Sequence, residues 1–381
     1  MKFRHSALLV LITAAVAVIT LVSVVSTIIS SNMSDDFASQ QFVLMEKIVN
    51  SKFSGAERIA ISAAEAMAVM PDVKKAFAER KRDELLAATK DTFKVLQEKH
   101  GISQAQFHVA PATSFLRLHN PTKFDDDQAV FRQIVVEVNR TKEIRKGIEV
   151  TTSGIGVFGT LPMTDAAGQT TGSFEMGVEI GPLLDQLKKS YGFELAVYID
   201  EKILRETATS LKGDVYSDDK RVGPYITFLA THPALMREIV GSADVNFGDS
   251  SNYVREAHGV PQGVVLLPLF NYAKKKIGVV AVARNFSATN SASGRAIVWQ
   301  AMLGLLSIVV LIGVILSVVR GMLVRPLAVL GERVNALADG KEARELPDVP
   351  GWSEEMRALA SDCDRLARRA EQNDEATGGK A

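Results

Sequence analysis

Two uninterrupted apolar runs divide the chain. Ala7 to Ile29 carries no charged side chain, and Ala296 to Val319 is dominated by Leu, Ile and Val. About 20 apolar residues suffice to cross the hydrocarbon of a bilayer, where only structures that satisfy every backbone polar group internally are tolerated. The runs are therefore predicted as transmembrane helices at 7–30 and 296–319. A cleaved signal peptide is the alternative for the first, because Lys2, Arg4 and His5 form a basic leader. Its apolar stretch is longer than the roughly 7 to 15 residues of a signal sequence and lacks a clear small-x-small cleavage site. Lys2 and Arg4 precede the first run, and Arg320 and Arg325 follow the second. Positive flanks stay in the cytoplasm, which predicts a two-pass inner-membrane protein with both termini cytoplasmic and 31–295 outside.

Between the runs the period changes. Met33, Phe37, Leu44, Ile48, Gly55, Ile59, Ser62, Ala66 and Val69 recur mostly at intervals of three, four or seven, the helical period. Pro71 interrupts this pattern, and a second helix is expected from Val73 to Lys99, so 31–104 reads as a helical stalk. From Ala105 onward apolar positions alternate, predicting strands at 106–110, 115–119, 145–150, 157–163 and 171–180. Helices are expected at 127–139 and 182–191. The strand pattern restarts at 193–199, 253–257, 264–270 and 277–286, with a helix around Phe228 to Val240. Leu161, Pro162, Met163 and Gly172 are echoed by Leu267, Pro268, Leu269 and Gly278 at an offset of 106 positions, which points to a repeated supersecondary unit. The fold class is α+β: a long N-terminal helix carrying two modules with antiparallel sheets, 105–191 and 192–290.

After the second apolar run, Leu323, Leu327, Leu330, Val334 and Leu337 are spaced 4, 3, 4, 3, and Met356, Leu359, Cys363, Leu366 and Ala370 are spaced 3, 4, 3, 4. These are two short coiled-coil seams. Helices of two heptads are too short to stand alone, so dimerisation into a four-helix bundle is expected. The polar tail 374–381 is expected to be disordered.

Composition changes this picture little. The 44 basic and 44 acidic residues cancel, which disfavours nucleic acid as a partner. The single cysteine, Cys363, leaves the outer region without a disulfide framework, so it must fold on an apolar core.

The organisation resembles bacterial transmembrane receptors that join a double Cache sensor of the dCache_3 type to a HAMP domain, as in chemotaxis receptors, sensor kinases and diguanylate cyclases. The HAMP likeness rests on Arg325-Pro326-Leu327, Gly340, Leu346, Val349 and Glu354-Glu355-Met356. It covers 320–373. The sensor likeness rests on Phe107-His108, the run from Pro111 to His119, Phe124 to Asp127, Arg132, Asn139 and Gly147-Ile148-Glu149. The resemblance implies two PAS-like Cache modules, the first membrane-distal and the second membrane-proximal, and a homodimer that relays a signal through HAMP. Phe158 departs from the pattern where a basic residue is expected after Gly-x-Gly-Val, so recognition through that position differs here. Such receptors continue into an output domain, whereas only 374–381 follow here. A separate cytoplasmic signalling partner, a shortened relative or a split gene are the expectations.

Candidate chemistry gathers in the first module. Alternation along 115–119 puts Phe115, Arg117 and His119 on one face, with His108 on the neighbouring strand. These residues, with Asp126 and Arg132, are the candidate ligand-binding set. An arginine can grip a carboxylate with two parallel hydrogen bonds, which suits an organic acid or an amino acid. The alternative is that Arg117 pairs with Asp125, Asp126 or Asp127 and pins the adjacent loop. His108, His119 and an Asp are zinc-ligating types but lack tight ligand spacing, so no metal is expected. Glu175 is either a pocket acid or a solvated position. No arrangement of nucleophile, base and orienting acid is marked, and neither an enzyme activity nor a cofactor is expected. The reading is a sensor of a small extracellular ligand. The alternative is a membrane-anchored adaptor that binds a periplasmic protein.

Overall fold

A computed structural model describes residues 2–245, 249–339 and 354–378. The chain divides into two units, 35–291, and 1–34 together with 292–381.

In the 35–291 unit, the later part of helix α1 (Lys2–Ala68) is a spine. Helices α2 (Pro71–Ala78) and α3 (Arg82–His100) follow and bury Phe77, Leu85 and Phe93. The helical stripe facing the core is Phe42, Met45, Val49, Phe53, Ala56, Ala60, Ala64 and Met67. This corrects the sequence reading, because Phe37, Leu44, Ile59 and Val69 of the expected stripe are exposed. α1 carries two apolar stripes, and periodicity alone does not distinguish the one facing the sheets from the one facing away.

The first module is a five-stranded antiparallel sheet of β1 (Ile102–Val109), β2 (Thr113–Arg117), β3 (Arg145–Thr151), β4 (Gly154–Thr164) and β5 (Thr170–Glu179), ordered β2-β1-β5-β4-β3. Helix α4 (Gln133–Thr141) lies between β2 and β3, and α5 (Ile180–Tyr191) follows β5. The expected helix at 127–139 begins only at Gln133. The second module contains β6 (Glu194–Asp200), α6 (Glu201–Thr207), β7 (Arg221–Val222), β8 (Tyr225–Ala230), α7 (Pro233–Ile239), β9 (Ser251–Ala257), β10 (Val260–Phe270) and β11 (Lys276–Asn285). Its six-stranded sheet is ordered β7-β8-β6-β11-β10-β9. The helix expected from Phe228 is a strand up to Ala230 and helix only from Pro233, because Leu229 and Ala230 pair with β6. One face of each sheet packs on α1 in a single continuous core that takes Phe107, Phe174 and Met176 from the first module and Val265, Leu267 and Val280 from the second.

The repeat expected from the sequence has a structural counterpart. Met163 pairs with Gly172 in the β4–β5 hairpin, and Leu269 pairs with Gly278 in the β10–β11 hairpin. A Cβ added at Gly172 would strike the carbonyl oxygen of His108, and one added at Gly278 would strike the carbonyl oxygen of the equivalent Tyr198. Glycine recurs because the neighbouring strand passes too close for a side chain.

In the other unit, Ile12–Ile29 of α1 and Val298–Val319 of α8 (Ser287–Val319) are each long and apolar enough to cross a membrane. Their side chains, Leu21, Val22, Leu305 and Val309 among them, are uncovered. A π-helical turn, Arg320–Val324, leads into α9 (Arg325–Ala338), and α10 covers Glu354–Gly378. Leu330, Met356, Ala360 and Cys363 pack together, whereas the seam positions Leu327, Val334, Leu359 and Leu366 are exposed. Gly340, Leu346 and Val349, on which part of the HAMP likeness rests, lie outside the described residues. Residues 374–378 are helical, a correction to the disordered tail expected from Asp374.

Candidate functional site

Strand alternation gives the first sheet a second face, and that face is polar. Gln106 and His108 of β1, Glu149 of β3, Thr160 of β4, and Ser173 and Glu175 of β5 share it, and all are buried. Cover comes from α4, whose Ile134 and Val135 form a small apolar cluster with Phe158 of β4 and with Ala112 of the β1–β2 turn.

Arg132 immediately precedes α4 and is only 4% exposed. Its guanidinium lies 4.2 Å from the centroid of the Phe158 ring, pairs closely with Glu175, and reaches Glu149 at 3.4 Å. Phe158, the departure noted in the sequence, is thus the floor beneath this cation. The other oxygen of Glu149 accepts a hydrogen bond of 3.0 Å from the backbone N–H of Ile134 and anchors the start of α4. His108 Nε2 lies 3.2 Å from Glu175 Oε1, although neither ring nitrogen has an aligned hydrogen bond within the protein.

A buried charge is tolerated only when partnered, and the two carboxyls differ in how well they are served. Burial alone would raise the pKa of Glu175, but Arg132 and then His108 outweigh it and hold the group ionised, well below the usual carboxylate range. For Glu149 burial wins over Arg132 and the backbone N–H groups, and the carboxyl is pushed up to about 7. Burial likewise lowers the His108 pKa, more than Glu175 raises it. Near neutral pH the cluster therefore holds one cation, one firmly ionised carboxylate and two groups poised to be neutral.

Beside this cluster a cavity of about 510 Å³ opens. Arg117, His119, Asp126, Arg132 and Glu175 line it, with Gln104, Gln106 and the turn at Thr151 to Ser153. The second module contributes Thr209 and Ser210, held there by the hydrogen bond from the Ser210 N–H to the Thr152 carbonyl at 2.9 Å. The structure brings four of the five sequence-derived candidates to this cavity. His108 is not among its lining residues and stands behind Glu175, fully buried.

Arg117 forms a bidentate pair with Asp126, at 2.6 and 2.7 Å, and donates to the Lys123 carbonyl at 2.8 Å. This is the loop-pinning geometry, and the pair also forms part of the cavity wall. The Arg117 guanidinium holds the Asp126 carboxyl down to about 2. The expected single face of Phe115, Arg117 and His119 is not formed. A register shift opposite Phe107 and His108 sends Phe115 to the core against Phe77, with 5.5 Å between ring centroids. β2 ends at Arg117, and His119 Nδ1 lies 3.3 Å from the backbone nitrogen of Ala105.

Glu175 was left open between a pocket acid and a solvated position, and the structure places it in the cluster, whereas Glu149 was not weighed as a binding residue although it lies between Ile148 and Val150 in β3. Thr209 and Ser210 carried no signal, since a loop from another module is brought in only by the tertiary fold. A larger groove of about 700 Å³ between α1, the end of α3 and α5 includes Lys47, Ile59, Leu183 and Tyr191. No buried charges converge on it, so the chemistry points to the smaller cavity.

Among solved structures, the chain is similar to the ligand-binding domain of the Campylobacter jejuni chemoreceptor Tlp3 in complex with 4-methylisoleucine, at 10% identity and a TM-score of 0.43, covering 68% of this chain and 94% of that one. It is also similar to the periplasmic domain of Vibrio cholerae LuxQ, at 10% identity and a TM-score of 0.40, covering 65% of this chain and 99% of that one. A comparison with curated proteins returns no match. The family model for the double sensory domain of two-component sensor kinases matches residues 55–289, more than half of the sequence, and the chain belongs to this dCache_3 family.

Proposed function

We propose that the protein is a transmembrane sensory receptor that binds a small extracellular ligand in the cavity of its first module. The observation that carries this reading is the buried polar face. Its charged cluster borders a cavity of ligand size, within the roughly 300 to 1,000 Å³ common for small-molecule sites. In this reading α1 and α8 each cross the inner membrane once, both termini are cytoplasmic, and the first module is the membrane-distal one. The ligand shifts a two-state equilibrium by differential affinity. Thr209 and Ser210 give it a direct contact with the second module, and α1 carries the displacement to the membrane.

On the cytoplasmic side α9 and α10 act as a HAMP-like relay to a separate signalling partner. The protein works as a homodimer. Support comes from the uncovered stripe of Phe37, Leu44, Ile59 and Val69 on α1 and from the exposed seam positions Leu327, Val334, Leu359 and Leu366, which a second copy would bury. The role is that of a sensor and not of an enzyme.

The test is thermal unfolding of the full-length protein in detergent against organic acids, amino acids, polyamines and sugars. A compound that raises the melting temperature of the wild type but not of a Ser210→Trp variant, whose added ring fills the cavity, is the expected result. Melting curves that stay flat across the whole panel would contradict the reading.

A further inference from the structure

We propose that this cavity takes an uncharged, hydroxyl-rich small molecule of the sugar or polyol class, in preference to an acid, an amine or an amino acid. The inference rests on the reading of the cavity as the ligand site and narrows it.

The charges lining the cavity decide the ligand class. An anionic ligand needs a cation free to receive it, and both guanidiniums in the lining already face carboxylates through their terminal nitrogens. Arg117 gives its two terminal nitrogens to the two oxygens of Asp126. Arg132 is shared between Glu175 and Glu149 in a buried cluster. A cationic ligand meets the mirror-image obstacle, because Asp126 and Glu175 are the other halves of those pairs. A zwitterion would have to break the Arg117–Asp126 pair and remake both halves at once. Lys123 and Asp127 stand exposed at the rim, where water and salt weaken an ion pair.

Neutral groups remain for recognition. Gln106 donates its amide to Ser114, which leaves its carbonyl oxygen able to accept. His119 is held at Nδ1 by the backbone of Ala105, and burial lowers its pKa, keeping the ring neutral with Nε2 available. Gln104 and the hydroxyls of Thr152 and Ser210 add donors and acceptors. Phe131 offers an apolar wall for the C–H face of a ring. Many neutral donor and acceptor positions beside one aromatic side chain match a polyhydroxylated ring better than a charged group.

The experiment compares ligands of one shape and three charges. Full-length protein in detergent is titrated with glucose, glucuronate and glucosamine, then with ribose, myo-inositol, alanine and succinate. Melting temperature and calorimetric affinity are read at low and high NaCl. The expected result is that a neutral sugar or inositol raises the melting temperature by about 3 °C or more at saturating concentration. Its charged counterpart should bind at least tenfold more weakly, and the neutral affinity should change less than twofold with salt. Gln106→Leu should weaken it about tenfold, and Ser210→Ala, at the rim where folding is not at stake, about threefold. Strongest binding by an acid, an amine or alanine, tightening at low salt, would overturn the inference while upholding ligand sensing in this cavity. No response to any probe would overturn both.

Discussion

The two modules repeat one hairpin architecture and use the equivalent face in opposite ways. Pairing registers align Gln106, His108, Thr160, Ser173 and Glu175 of the first module with Ala196, Tyr198, Leu266, Val279 and Ala281 of the second. In the second module this face is filled by an apolar cluster with Met236 and Ile239 of α7. The first module instead buries a charged cluster under α4 and leaves a cavity beside it. Apolar packing is the ordinary route to stability, while buried charge is a poor one. One copy of the repeat therefore fills this face with apolar packing, and the other keeps costly polar groups beside a cavity.

The largest expected effect comes from moving the charge across this comparison. Ala281→Glu places the Glu175 carboxyl in the second module without an Arg132 to receive it. Burying an unpaired charge should cost about 4 kcal/mol or more, read as loss of the cooperative melt of the second module. Glu175→Ala should cost about 3 to 5 kcal/mol, because it strands Arg132. Replacing Arg132, Glu149 and Glu175 together by Met, Leu and Leu should stay within about 2 kcal/mol of wild type in chemical denaturation and abolish ligand-induced stabilisation. That contrast between the single and triple variants separates a site retained for binding from one retained for stability.

Gly172→Ala and Gly278→Ala should each cost about 2 kcal/mol, since both meet a neighbouring carbonyl. Unequal losses would show that the two hairpins are less alike than their registers.

The pH dependence is subtler. The pKa of Glu149 is raised in the folded state to about 7 from 4.5, so the folded protein binds the proton more tightly than the unfolded chain. Its stabilising share is present below about pH 4.5 and is lost as pH rises through 7. Glu149→Gln should therefore gain about 2 kcal/mol relative to wild type between pH 5 and 8, measured as the difference in melting curves. Glu175 has the opposite sign. Its contribution is present above 4.5 and disappears only as pH falls toward 2.

Much of this fold was legible because long periods and strict alternation are read directly from residue order. The apolar runs, the hairpins and the repeated Pro-Met/Leu-…-Gly spacing are examples. The stripe of α1 that meets the sheets was not, because both stripes are apolar and only tertiary contact distinguishes them. β8 was missed since it pairs with β6, a partner distant in sequence. At the site, Arg117, His119, Asp126 and Arg132 were named from their residue types and neighbourhood. The bulge that sends Phe115 to the opposite face broke the alternation used to group them. Glu175 was noticed and left open, because one acid in a strand reads equally as surface or pocket until its face is known.

The central claim is that ligand chemistry belongs to the first module and not to its apolar counterpart. Hydrogen exchange of the full-length protein, with and without a probe that raises its melting temperature, tests this most directly. Added protection is expected in β2, in the chain from Lys123 to Gln133 and around Thr152 and Ser210. Protection confined to α7 and the β9–β11 strands would contradict it.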